Sequence, residues 1–323
     1  MAKAVRYHKQ GGPEVLQLDE VPVGEPGAGQ ARIRHTAIGV NFVDTYQRSG
    51  LYPMQMPAVA GNEGAGVVES VGSGVSDLKA GDRVAYTGLP GSYCDVRVVP
   101  ADRLVKIPQG ISDEQAASMM LKGLTVHYLI FTTYPVKKGE TVLWHAAAGG
   151  VGLIACQWLK ALGVTIIGTA GSAEKMALAK AHGADHVINY STENFVARVK
   201  EITGGKNVPV VYDGVGKSTW EGSLDCLRIR GLLALFGNAS GPVPPVNLGI
   251  LSTKGSLYVT RPTLNSHIVT RDDLMMRAND LFEIVKSGKV KIETTKKYKL
   301  ADAAQAHRDL ESRKTTGSVI LVP

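Results

Sequence analysis

Residues 146–152 read AAAGGVG, between an apolar stretch at 142–147 and the apolar run LIACQWL at 153–159. Gly149 and Gly152 hold the last two glycine positions of the pattern G-x-G-x-x-G, and Ala147 stands in the first. A small first residue permits a tight turn. The middle glycine lets backbone approach a pyrophosphate, and the last lets the helix pack close to the strand. Unpaired N–H groups of the helix's first turn then face the anion. The strand–turn–helix context predicts dinucleotide binding through Gly149, Gly150, Val151 and Gly152.

The second strand of such a unit selects the dinucleotide. NAD sites place an Asp or Glu about 20 residues on, against the ribose 2′-hydroxyl. Here that region reads Gly168-Thr169-Ala170-Gly171-Ser172, and no acid appears before Glu174. Ser172 offers a hydroxyl and Lys175 a cation, which suit a 2′-phosphate. Tyr190, after the third strand, and an arginine from elsewhere complete that pocket. The expected cofactor is NADPH. Ser172 also has the chemistry of a helix N-cap.

These positions need a scaffold. The first 120 residues carry short β-branched stretches at 4–8, 15–20, 31–40, 66–71, 83–86, 93–99 and 104–107, separated by Gly/Pro punctuation. That spacing predicts a barrel or sandwich. Ser112 caps a long helix to about residue 132, with Asp113 and Glu114 in its first turn. From 142 strands alternate with helices: 142–147, 150–162, 164–169, 173–182, 186–189, 194–202, 208–212, 219–227 and 232–236. Successive crossover units of this kind imply a doubly wound parallel sheet. After Pro262 come a helix at 271–287, a basic strand-like stretch at 289–298, a helix at 301–313 and a strand at 318–322. The expected organisation is an α/β domain, residues 123–261, inserted into a β-rich domain built from 1–122 and 262–323.

Composition excludes other classes. The chain has 323 residues, 44% hydrophobic and 20% charged, as an ordinary globular protein does. Three cysteines cannot form a disulfide scaffold and suit a reducing, cytoplasmic setting. The longest stretch without Asp, Glu, Lys or Arg, 231–253, holds four Gly and three Pro, so it predicts strand and loop rather than a membrane span. The net charge of +7 arises outside residues 1–122. Six lysines lie within 286–299, but without a nucleic-acid motif they predict a solvated face.

The chain resembles the zinc-free quinone oxidoreductases of the medium-chain dehydrogenase/reductase superfamily, the group that includes zeta-crystallin. The resemblance spans nearly the whole chain. It rests on GGPEVL (11–16), AIGVNFVDTYQRSGLYP (37–53), GNEGAGVV (61–68), GDRV (81–84), LKGLTVHYL (121–129), HAAAGGVGLIACQ (145–157), VVYDGVG (210–216) and GSLYVTRP (255–262). It implies a Rossmann domain inserted into a discontinuous GroES-like domain, and a homodimer joined through late strands of the cofactor domain. Zinc-dependent members carry Cys where this chain has Asn41 and His where it has Asn62; neither Asn is a competent zinc ligand, so no metal is expected.

Carried over residue by residue, the resemblance implies that Asn41, Phe42 and Thr45 line the nicotinamide end. Tyr46 and Tyr52, flanking a loop rich in Gly and Pro, form substrate-pocket walls. Thr125 contacts nicotinamide or substrate. Gly171, Ser172, Lys175 and Tyr190 match the adenosine-phosphate pocket. Phe236, Gly237, Asn238, Val259, Arg261 and Arg313 match further cofactor contacts. On residue type alone, His145 and Asp213 read as buried structural groups and Lys122 as a solvated helix lysine, though the family motif places Lys122 near the cleft.

No activated nucleophile is evident, and hydride transfer needs none. A quinone accepts electrons without a Lewis acid, whereas a simple ketone needs one. The expected function is metal-free, NADPH-dependent reduction of a quinone by electron or hydride transfer, with Asn41, Tyr46, Tyr52 and Thr125 at the reacting end. The alternatives are an NADPH-dependent alkenal or enone reductase and, from another class, an RNA-binding protein of the same fold. The expected partners are a small quinone or conjugated carbonyl and a second copy of the chain, with no membrane or nucleic acid.

Overall fold

Short apolar–polar alternations in residues 2–106 fold as eight strands: β1 (Ala2–Tyr7), β2 (Gln17–Val21), β3 (Gln30–Val40), β4 (Ala58–Val59), β5 (Glu63–Val71), β6 (Arg83–Thr87), β7 (Val96–Pro100) and β8 (Val105–Lys106). The computed structural model describes residues 1–323. One helix in this region, α1 (Phe42–Ser49), is not anticipated by the strand pattern. Its ends explain it. Asn41 is the N-cap, with its backbone N–H donating to Asp44 Oδ2 at 2.8 Å. Gly50, at φ 87°, closes the helix in the left-handed region that glycine tolerates. Tyr46 therefore sits on a helix rather than at a loop edge. The next helix, α2 (Asp113–Tyr128), starts as expected at Ser112. Ser112 and Gln115 exchange side chain–backbone hydrogen bonds at 3.2 and 3.0 Å, a capping box.

The chain then alternates through β9 (Thr141–Trp144), α3 (Gly150–Ala161), β10 (Thr165–Ala170), α4 (Ala173–Ala181), β11 (His186–Asn189), α5 (Phe195–Ile202), β12 (Val208–Asp213), α6 (Trp220–Asp225), β13 (Leu227–Leu235), α7 (Gly249–Thr253) and β14 (Tyr258–Thr260). The six strands form one parallel sheet in the order β11-β10-β9-β12-β13-β14. This is the doubly wound order of a Rossmann sheet, reversing between β9 and β12. Leu143, Ile167, Ile188, Val211 and Leu233 fill its core.

The last elements are α8 (Arg271–Lys286), β15 (Thr294–Lys299), α9 (Ala303–Glu311) and β16 (Ser318–Val322). They join the N-terminal strands: the larger sheet runs β15-β16-β3-β5-β6-β8, with β7 also pairing to β3, and a smaller sheet runs β2-β1-β4. Two compact units result, Met1–Leu124 with Ile268–Lys286 and Ile292–Pro323, and Thr125–His267 with Ser287–Lys291. The basic strand starts only at Thr294. Its lysines are not simply solvated: Lys296 pairs with Asp309 at 2.5 Å and Lys297 with Glu114 at 2.6 Å.

Candidate active site

The glycine turn follows β9 and opens α3. Ala146, at φ 53°, turns the chain, and Gly149 N donates to Ala146 O at 2.9 Å. Gly149 is the N-cap, so the N–H groups of Gly150, Val151 and Gly152 belong to the first turn, which lacks intrahelical acceptors. A Cβ at Gly152 would collide with the carbonyl oxygens of Ala146 and Ala147, so glycine there permits the tight strand–helix packing. These are the features a pyrophosphate needs.

The end of β10 carries Gly171, Ser172 and Lys175, the positions expected at the adenosine phosphate. Ser172 caps α4, accepting from Lys175 N at 3.3 Å. Tyr190 lies against Gly171: a Cβ on that glycine would stand 2.5 Å from the phenol oxygen. Ser191 Oγ donates to Gly171 O at 3.1 Å and fixes the turn from the other side, a contact not read from the sequence. Glu174 is exposed, while Lys175 is half-buried. Hydroxyls and an ammonium at this strand end suit a 2′-phosphate.

In the first unit, the corner between β3 and α1 holds Asn41, Phe42, Thr45 and Tyr46. Thr45 Oγ1 donates to Phe42 O at 2.7 Å. Tyr46 and Tyr52 pack edge to face with ring centres 5.3 Å apart, and Phe42 stands 6.3 Å from Tyr46. Together they make an aromatic wall of the kind that lines small-molecule sites.

Beneath the corner lies a buried charge cluster. Asn41 Nδ2 donates to Glu63 Oε2 at 2.8 Å, and Leu121 N donates to Glu63 Oε1 at 2.7 Å. Lys122 Nζ stands 3.6 Å from Glu63 Oε2 and donates to Val40 O at 3.4 Å. Glu63 is 0% and Lys122 6% exposed, so Lys122 is an ion-pair partner and not the solvated residue that its type suggests. Burial pushes the Glu63 carboxyl up, and the Lys122 charge with the donated hydrogen bonds opposes that shift. A Cβ on Gly39 would collide with the Glu63 carboxylate and Ala117 O.

A second chain of buried groups runs alongside. Asn62 Nδ2 donates to Asp44 Oδ1 at 2.7 Å, and Tyr93 OH donates to Asp44 Oδ2 at 2.9 Å. Burial raises the Asp44 carboxyl to about 6 against these hydrogen bonds. Tyr93 OH also meets His307 Nε2 at 3.1 Å, and Arg48 Nη1 donates to His307 Nδ1 at 3.0 Å. A guanidinium only donates, so Nδ1 is the acceptor and Nε2 carries the proton. Arg48 Nη2 continues to Glu311 Oε1 at 2.6 Å. Sequence reading missed Asp44, Glu63 and Lys122 as a group. The Asn41-x-x-Asp44 spacing and a lysine within the apolar run 119–124 were its available signals.

The remaining expected positions divide between the units. Thr125 is buried in α2. Phe236, Gly237 and Asn238 follow β13 in the second unit, and a Cβ on Gly237 would collide with Gly214 O. Val259 lies on β14, and Arg261 just beyond it donates to Leu235 O at 2.9 Å. A cavity of about 420 Å³ adjoins Arg261, lined also by Thr260, Thr263, Ser266 and His267. Arg313 is exposed after α9 in the first unit, at φ 58°. His145 is a satisfied core histidine, 3.0 Å from both Thr169 Oγ1 and Ser223 Oγ. Ser223 donates onward to Asp213 Oδ2 at 2.9 Å, so this serine is tied to the acid and is no nucleophile activated by the histidine.

Comparison with known proteins agrees with this geometry. Residues 27–109 match the alcohol dehydrogenase GroES-like domain family, and residues 150–281 match the family described as zinc-binding dehydrogenase. The chain is 56% identical to a quinone oxidoreductase of Pseudomonas aeruginosa over 325 residues, covering 100% of both proteins. It is 46% identical to a 2-haloacrylate reductase of a Burkholderia species, covering 100% of this chain and 99% of the relative. The crystal structure of Escherichia coli quinone oxidoreductase complexed with NADPH superposes with a TM-score of 0.98 at 54% identity, with 100% of both chains covered. The chain therefore belongs to the quinone oxidoreductases of the medium-chain dehydrogenase/reductase superfamily.

Proposed function

We propose that this protein catalyses NADPH-dependent reduction of quinones without a metal ion. The carrying observation is the full-length likeness to quinone oxidoreductases, joined to a β10 end that presents Ser172, Lys175 and Tyr190 where an NAD site presents an acid. The β-rich part, 1–122 with 262–323, is read as the catalytic domain and 123–261 as the cofactor domain. Bound NADPH supplies a hydride from its nicotinamide. The first-turn N–H groups of α3 hold the pyrophosphate. Ser172 and Lys175 hold the 2′-phosphate with Tyr190 and Gly171, and Arg313 serves the same end. Backbone at Phe236, Gly237 and Asn238, with Val259 and Arg261, seats the cofactor further. Asn41, Phe42, Thr45 and Thr125 orient the nicotinamide. Tyr46 and Tyr52 form the apolar wall for the acceptor and exclude water.

Metal independence is supported by the engagement of both asparagine amides, Asn41 with Glu63 and Asn62 with Asp44. Assembly as a homodimer is supported by the sheet edge at β14, where Tyr258 is 60% exposed and Val259, with Ile229 on β13, is exposed too. The three cysteines are buried and free of disulfides, which suits the cytoplasm.

The 2-haloacrylate reductase relative favours one second reading, reduction of a conjugated double bond. NADPH oxidation measured with 1,4-benzoquinone, a 2-alkenal and 2-chloroacrylate separates the two. Quinone turnover dominates on the first reading, and a tenfold preference for either alkene overturns it. Stoichiometric zinc in the same sample would overturn the metal-free reading, and a 34.3 kDa monomer by light scattering would overturn the dimer.

A further inference from the structure

The Glu63–Lys122 pair raises a question that the aromatic wall does not. Burying two charges is expensive unless their geometry is very good. Here the ammonium lies 3.6 Å from one carboxylate oxygen, longer than a strong charge-assisted hydrogen bond. That oxygen takes its shorter bond, 2.8 Å, from the Asn41 amide. The other takes 2.7 Å from Leu121 N, inside α2. The groups that bond or pair with the carboxylate, the Asn41 amide, Leu121 N and the Lys122 ammonium, are donors, so Glu63 acts as an acceptor. An acceptor admits only the NH₂ end of the Asn41 amide, which fixes which end of that amide is turned elsewhere. Gly39 leaves the space that brings the carboxylate under this corner.

We propose that Glu63, held by Lys122, is a positioning residue for cofactor binding: it locks the orientation of the Asn41 side chain, and so sets how Asn41 meets the nicotinamide. This rests on the reading of Asn41 as a nicotinamide contact. Lys122 keeps Glu63 an acceptor. Without the ammonium, a protonated Glu63 carries a donor of its own, and the Asn41 amide can turn over. The other ionisable groups in range are few. Tyr93 feels the Glu63 charge, and Asp44 on α1 feels Lys122.

The test is NADPH affinity, followed by cofactor fluorescence from pH 5.5 to 8.5, with quinone-reductase kcat and KM on the same proteins. In Lys122→Met, affinity should fall about 10-fold or more toward the acid end, as loss of a hydrogen bond to a charged group implies, and recover at high pH. Asp44, raised to about 6, titrates in every variant, so the wild type should lose less affinity than Lys122→Met over the same range, and Lys122→Arg should restore the wild-type profile. Glu63→Gln should weaken binding at all pH values and raise KM for NADPH more than it lowers kcat. His307→Gln, in the neighbouring chain of buried groups, controls for lost stability. If Lys122→Met fails to fold, Glu63→Gln with Glu63→Asp carries the test through the KM effect. Unchanged affinity and pH profile in folded Lys122→Met, or unchanged KM in Glu63→Gln, overturns the positioning role. Failure of wild type to bind NADPH overturns the reading beneath it instead.

Discussion

His307 should make the stability of the protein acid-sensitive by an amount that one substitution reveals. It is 0% exposed, accepts from Arg48 at Nδ1 and faces Tyr93 with Nε2. Protonation would set an N–H against the guanidinium inside the protein, and burial with that charge lowers its pKa from 6.5 to about 3. The folded value is depressed. The histidine's contribution is therefore fully present above the unfolded value of 6.5 and is lost as the pH falls toward 3. The loss accrues at about 1.4 kcal/mol per pH unit, or roughly 2.7 kcal/mol by pH 4.5. His307→Gln removes this titration. At pH 7 it should cost about 1–3 kcal/mol through weakened buried hydrogen bonds. By pH 4.5 that deficit should vanish or reverse. Urea unfolding of both proteins at pH 7, 6, 5 and 4.5 measures it, the gap in midpoints closing by about 1 M for a slope near 2–3 kcal/mol per M. Asp44, raised to about 6, titrates in both proteins and drops out of the difference. A gap unchanged between pH 7 and 4.5 would refute a neutral, guanidinium-facing His307.

Two further outcomes follow from the cofactor unit and the thiols. Lys175→Ala should lower the preference for NADPH over NADH about 10- to 100-fold, the worth of a charge-assisted contact, read as the ratio of kcat/KM for the two cofactors; an unchanged ratio removes Lys175 from the 2′-phosphate pocket. Burial pushes the thiols of Cys94, Cys156 and Cys226 up to about 12, so the native protein should resist an aromatic disulfide reagent at pH 8 and release three thiols only in denaturant. Rapid modification of any one in the native state contradicts its burial.

Local chemistry was legible in the chain itself. The AAAGGVG turn names its own conformation, because glycine spacing decides where backbone can approach an anion and where a helix can close on a strand. The missing acid after β10 is likewise a matter of residue type at a position that the strand period locates. Ser112, with Asp113 and Glu114 behind it, announces α2, and the parallel sheet follows from the rhythm of strands and helices. What the sequence hid was long-range. Helix α1 is short and polar enough to pass for loop, and only its two caps, Asn41 with Asp44 and Gly50, mark it. Lys122 looks like any helix lysine until the fold brings Glu63, 59 positions earlier, beneath it. His307 becomes a neutral acceptor only because Arg48, 259 residues away, is folded against it. Charge, protonation and amide orientation depend on what surrounds a side chain, and for these residues the surroundings come from distant parts of the chain. The sequence by itself thus determined the glycine turn between β9 and α3 and the family, while tertiary structure decided how the corner at Asn41 is held.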